Sequence, residues 1–199
     1  VTDMPEMGGM PSNDELVPFF TFEDIDYALE NGEFCCYLQP KCNAETGVIV
    51  GAEALVRWNH PKYGVIPPGW FVPVLERAGR ICHVDMFVWR FVAEMLGRWE
   101  REGRNLVPVS VNVSMMDIDQ MDVADVIGGL LDEYDVDARL LRVEITESTV
   151  AKNLSMVKDT IRKLHARGIV VLMDDFGSAY SSLNMLKDIN VDKIGRAHV

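Results

Sequence analysis

Several carboxylates and one carboxamide stand where a folded chain normally keeps apolar groups. Glu53 lies inside Gly51-Ala52-Glu53-Ala54-Leu55-Val56-Arg57, Glu144 follows Leu141-Arg142-Val143, and Asp174-Asp175 close the run Val170–Met173. Asn112 occupies the middle of Val111-Asn112-Val113-Ser114. Runs this rich in Val, Leu and Ala read as strands buried on both faces. A polar group there costs several kcal/mol unless it is paired or bound to a cation. If the ends of these strands converge, the carboxylates repel one another unless cations lie between them. Oxygen donors without His or Cys fit hard ions, Mg²⁺ or Mn²⁺. Adjacent Asp174 and Asp175 fit two ions sharing one carboxylate, an arrangement suited to in-line attack on a phosphate ester.

The elements that must hold these groups follow from hydrophobic periodicity. Thr21 is an N-cap for a helix carrying Phe22, Ile25, Ala28 and Leu29, and Gly32 stops it. Strands at Glu33–Gln39 and Val48–Trp58 flank the turn residues Asn43, Glu45, Thr46 and Gly47, which predicts a hairpin. Residues Asn59–Pro73 read as a loop. Beyond it, helices at Phe71–Ala78 and Val84–Arg101 precede a strand at Val107–Val113. A helix at Val123–Glu133 precedes a strand at Leu140–Ile145, and a helix at Leu154–Arg167 precedes one at Ile169–Met173. A helix near Ser182–Lys187 and an apolar fragment, Val191–Ile194, follow. Strands alternating with helices form parallel βαβ units. A doubly wound sheet would carry a Gly-rich phosphate fingerprint after its first strand, and none is present. The remaining architecture is a (β/α)8 TIM-type barrel, incomplete by about two strands at this length.

Composition narrows the functional classes. The chain has 199 residues, 48% hydrophobic and 25% charged, enough to bury a core. Its net charge of -12 disfavours a nucleic-acid polymer, whose phosphates require a positive field. No apolar run approaches the roughly 18–20 residues of a membrane span. Four cysteines without CxxC spacing read as unpaired thiols of a reducing cytoplasm.

Five ordered segments resemble the EAL domain, the bacterial phosphodiesterase that opens the signalling dinucleotide cyclic di-GMP. They are Tyr37-Leu38-Gln39-Pro40, Gly51–Trp58, Val111–Ser114, Glu144-Ile145-Thr146-Glu147-Ser148, and Asp174–Leu183. The resemblance implies a barrel whose first strand is antiparallel, and a domain over residues 21–193 preceded by a linker, 1–20. It implies that Glu53, Asn112, Glu144 and Asp174 bind one metal ion, and that Asp174 and Asp175 bind a second. Of these, Glu53, Asp174 and Asp175 are the expected catalytic groups. By the same resemblance Arg57 holds a substrate phosphate, and Gln39 and Leu55 border the nucleotide. Glu147 braces the loop Phe176–Ser182, which would fix the spacing of the two ions. The implied reaction converts cyclic di-GMP to linear pGpG, and the implied partners are an upstream GGDEF or sensor domain and a second copy in a homodimer. The competing reading is a catalytically inactive module of the same kind, binding the dinucleotide or a protein. The presence of Glu53, Asn112, Glu144, Asp174 and Asp175, ligands that degenerate modules usually lose, favours the enzyme.

The sequence departs from the family pattern in several places. Ala179 stands where the family has glycine, and Gly195 stands where it has a catalytic lysine. The glutamate that completes the second metal site and a downstream glutamine have no counterpart. Residues Ile194–Val199 do not continue the apolar-Lys-apolar-Asp pattern of the family's sixth strand and are read as a non-native tail. On that reading the 199-residue chain itself is expected to be inactive and poorly soluble.

Overall fold

The computed structural model describes residues 20–176 and 189–196. They divide into two compact units, one of residues up to Cys35 with Val56–Arg80, the other of Cys36–Leu55 with Ile81 onward. Strands β1 (Phe34–Cys42) and β2 (Ile49–His60) contribute to both.

In the first unit, helix α1 (Phe22–Glu30) begins at the expected cap. The Thr21 hydroxyl accepts from the Asp24 N–H (3.2 Å), and the Asp24 carboxylate accepts from the Thr21 N–H (2.8 Å). Such a box is worth about 1 kcal/mol to the helix. Strand β3 (Gly64–Ile66) pairs antiparallel with the end of β2, in the stretch expected to be a loop. Helix α2 (Val72–Ala78) starts with a proline in its first turn and stops at Gly79, which takes the left-handed conformation (φ 69°). Phe20, Phe34, Trp58 and Phe71 pack as a ring cluster, and the buried indole of Trp58 donates to Glu33 (2.8 Å).

The second unit holds the sheet. Its order is β1-β2-β4-β5-β6-β7, with β4 at Val109–Val113, β5 at Leu141–Thr146, β6 at Val170–Phe176 and β7 at Lys193–Arg196. All pairs from β2 to β7 are parallel. β1 and β2 join through a tight turn: the Asn43 N–H donates to the Val48 carbonyl (2.8 Å), and the Asn43 side chain accepts from the N–H groups of Glu45 and Thr46. That makes β1 the antiparallel first strand of an incomplete (β/α)8 barrel.

Helices α3 (Ile81–Arg101), α5 (Val123–Tyr134) and α7 (Leu154–Ala166) cover the strands. α3 packs on β4 and α5, and α7 packs on β6. α3 starts at Ile81, a turn earlier than periodicity placed it. Two short helices were not expected, α4 (Met115–Gln120) and α6 (Glu147–Lys152). Each follows directly on a strand and is started by a hydroxyl cap, Ser114 or Thr146. The helix expected at Ser182–Lys187 lies outside the described residues.

Ahead of β7, Asp192 binds a single residue of β6 twice. Its N–H donates to the Val171 carbonyl (2.9 Å), and its carboxylate accepts from the Val171 N–H (2.8 Å). His165 of α7 lies 2.9 Å from the same carboxylate oxygen. Among the described residues, no helix is long and apolar enough to cross a membrane.

Candidate metal centre

Register decides which side chains can meet. Glu53 is level with Ser110, Asn112 with Glu144, and Thr146 with Asp174. Alternate residues of a strand share a face, so Glu53, Asn112, Glu144 and Asp174 form a staggered row across four adjacent strands, the last three near the carboxyl ends of β4, β5 and β6. Active groups of (β/α)8 barrels sit at that end. One oxygen from each of Glu53, Glu144 and Asp174 lies within 4.8 Å of the others. Asn112 joins them by donating its side-chain N–H to Glu53 Oε1 (3.2 Å). Behind it, the indole of Trp89 on α3 donates to the Asn112 carbonyl (3.0 Å), which ties the strand end to the helix layer.

The burial of this row is uneven. Glu144 is 1% exposed and Glu53 18%. One oxygen of Glu144, Oε2, is buried and has no hydrogen-bond partner among the described residues. An orphaned buried carboxylate oxygen beside two further carboxylates fits a hard divalent cation, which prefers an all-oxygen shell.

Sequence reasoning did not find Lys41. Its ammonium, reaching in from β1, forms an ion pair with Glu144 and lies 3.4 Å from Glu53 Oε2. Partial burial pulls the Lys41 pKa down, but the hydrogen bond and charge of Glu144, with Glu53 adding to them, outweigh burial and raise it above the ordinary lysine value. The available signal was alternation: Lys41 stands two residues beyond Gln39 and shares its face. Ser110 and Arg142 were missed for the same reason. They lie two residues before Asn112 and Glu144, and with Lys41, Asp174 and Lys193 they line a cavity of about 230 Å³. Within it the buried Arg142 Nε has no partner among the described residues.

The other expected site residues are distributed as follows. Asp175 is in β6, with its side chain outside the described residues. Gln39 is exposed on β1, and Leu55 is half-buried on β2, two residues beyond Glu53. Arg57 belongs to the first unit, where its guanidinium donates to the Val56 carbonyl (2.8 Å). Glu147 is buried at the first position of α6, and the loop it was expected to brace lies outside the described residues from Gly177 on.

Comparison with known proteins gives a consistent result. The family model for the EAL domain matches residues 23–195. The bifunctional diguanylate cyclase/cyclic di-GMP phosphodiesterase MucR of Pseudomonas aeruginosa is 31% identical over 171 residues, 86% of this chain and 25% of MucR. The cyclic di-GMP phosphodiesterase RocR of the same organism is 31% identical over 187 residues, 93% of this chain and 47% of RocR. The chain thus spans between a quarter and a half of these curated relatives. A solved structure of the MucR phosphodiesterase in complex with c-di-GMP superimposes with a TM-score of 0.81 at 31% identity, covering 87% of this chain and 70% of that one.

Proposed function

Since the chain belongs to the EAL domain family, we propose that it is the phosphodiesterase part of a signalling protein and hydrolyses cyclic di-GMP to linear pGpG. The observation that carries this reading is the convergence of Glu53, Glu144 and Asp174, from three parallel strands of one sheet, within 4.8 Å. The activities named for MucR and RocR support the choice of substrate.

Glu53, Asn112, Glu144 and Asp174 would hold one Mg²⁺ or Mn²⁺ ion, and Asp174 with Asp175 a second. Bound there, the pair would supply a nucleophilic water and offset charge at the phosphorus. This chain's own residues do the remainder. Glu144, buried and fixed by β5, sets the depth of the site, and the Asn112 N–H orients Glu53. Arg57 is assigned the substrate phosphate, Gln39 and Leu55 the flanks of the nucleotide, and Glu147 the bracing of the loop after β6. In the whole protein a GGDEF or sensor domain and a second copy are the proposed partners, and the cytoplasm is the proposed compartment.

Full-length protein given cyclic di-GMP and Mg²⁺ or Mn²⁺ is expected to release pGpG, and EDTA to stop it. Glu53→Ala or Asp174→Ala should lower kcat by at least ~10²-fold. Arg57→Ala should show more of its loss in KM, because a phosphate clamp also binds the ground state. Turnover that persists in chelator would overturn the metal assignment. Tight dinucleotide binding with no turnover in metal would replace the enzyme by a binding module.

A further inference from the structure

Lys41 has no role in the proposed chemistry, yet it contacts two carboxylates of the acidic row. Its ammonium pairs with Glu144 and lies 3.4 Å from Glu53. These are two of the three carboxylates whose oxygens gather within 4.8 Å. Without a cation, three carboxylates at this spacing, one of them 1% exposed, would be left facing one another. A buried charge deprived of its partner is strongly destabilising. Lys41 reaches this point from a different strand, β1, and its side chain is 39% exposed, so it has a path outward that Glu144 lacks. The geometry therefore has a fixed anion and a movable cation.

We infer that Lys41 is a built-in competitor for the divalent ion: its ammonium satisfies Glu144 and Glu53 in the metal-free protein and must leave them when the ion binds. The inference rests on the metal centre proposed above and adds to it a residue that sets the affinity of that centre. A divalent ion brings twice the charge of the ammonium and can use Glu144 Oε2, which Lys41 leaves without a partner. The exchange is therefore favourable, but weaker by whatever the lysine contacts contributed. Fixed carboxylates and a lysine on a flexible stem would keep the site intact when metal is scarce, at the cost of affinity when it is present.

The test is Mn²⁺ binding to the full chain, read by electron paramagnetic resonance of the free ion, without dinucleotide. Lys41→Met and Lys41→Gln are expected to bind Mn²⁺ at least about tenfold more tightly than wild type, the scale of one lost charge-assisted contact. Lys41→Arg, which keeps the charge, should stay within about threefold of wild type. Folded Met and Gln variants with wild-type affinity overturn the inference and leave the metal centre standing. If neither wild type nor variants bind Mn²⁺, the metal centre itself falls, and this inference with it. Should the neutral variants fail to fold, acylation of wild-type lysines by an N-hydroxysuccinimide ester, mapped by peptide mass spectrometry, decides. Saturating Mn²⁺ should speed labelling of Lys41 several-fold and leave Lys163, which pairs with Asp122 on the helical side, unchanged. Labelling of Lys41 that ignores Mn²⁺ overturns the inference.

Discussion

The acidic row owes its existence to an imbalance between neighbouring residues. Glu144 is fixed and dry, Glu53 is fixed and partly wet, and Lys41 can move. Glu53, Asn112, Glu144 and Asp174 were legible in the sequence because a charged or amide side chain inside a Val-rich strand is costly and therefore conspicuous. Lys41 was not, because a lysine near a predicted turn is ordinarily a solvated side chain. Its role depends on β1 being extended to Cys42, beyond the predicted end at Gln39. Cysteine offers a separate test at this scale. Cys82 is buried on α3, its thiol donates to Gln120 (3.4 Å), and burial, with Asp117 and Asp85 nearby, pushes its pKa up to about 12. Cys42 is exposed at the end of β1. At pH 8 the Cys82 thiolate is scarcely populated, so a thiol-disulfide reagent should label Cys42 in the native protein and reach Cys82 only after denaturation. Because the shift is upward, raising the pH from 7 to 9 should leave Cys82 protected. Equal native rates for the two would contradict the burial of Cys82.

At the scale of elements, two glycines inside helices distinguish close packing from mere tolerance. A Cβ on Gly97 of α3 would fall on the carbonyl oxygen of Tyr134, at the end of α5. That oxygen belongs to backbone and cannot swing aside. A Cβ on Gly128 of α5 would meet first the side chain of Arg167, whose pairs with Asp125 and Asp132 lie at the surface. Alanine gains about 1 kcal/mol over glycine within a helix, whereas overpacking costs about 1–3 kcal/mol. Gly97→Ala should therefore lower unfolding free energy by up to about 2 kcal/mol, and Gly128→Ala should be neutral or stabilising by up to about 1 kcal/mol. Denaturant titration of both variants separates the cases, and equal effects would count against the α3–α5 contact. Long helices with an apolar stripe were legible from periodicity, as α5 and α7 illustrate. The short α4 and α6 were not, since six residues hold less than two turns of pattern. Only their caps, Ser114 with Asp117 and Thr146 with Thr149, carried a signal.

Across the whole molecule, local stability should follow the layering. Val111, Val143, Val171 and Met173 have no exposure at all, and β4, β5 and β6 have helices against them. Their amides should be the last to exchange in hydrogen-exchange mass spectrometry, while the three-residue β3, with Gly64 and Val65 exposed, should exchange early. Faster exchange in β5 than in β3 would contradict this order. The strand sequence along the chain was legible because inner parallel strands are continuously apolar. Their relative stagger was not, because period-two patterning gives a face and no register against a neighbour. At β7 that register is pinned by Asp192, which holds both backbone groups of Val171, with His165 on the same carboxylate. Under tension the arrangement behaves differently from the Asn43–Val48 turn at the other side of the sheet. A hairpin pulled apart at its ends opens one bond at a time, like a zip, and never resists more than one rung. A load drawn along β7 would fall on both Val171 bonds and on the β6–β7 ladder together, in shear, so the joint should hold as a latch and give way in a single step.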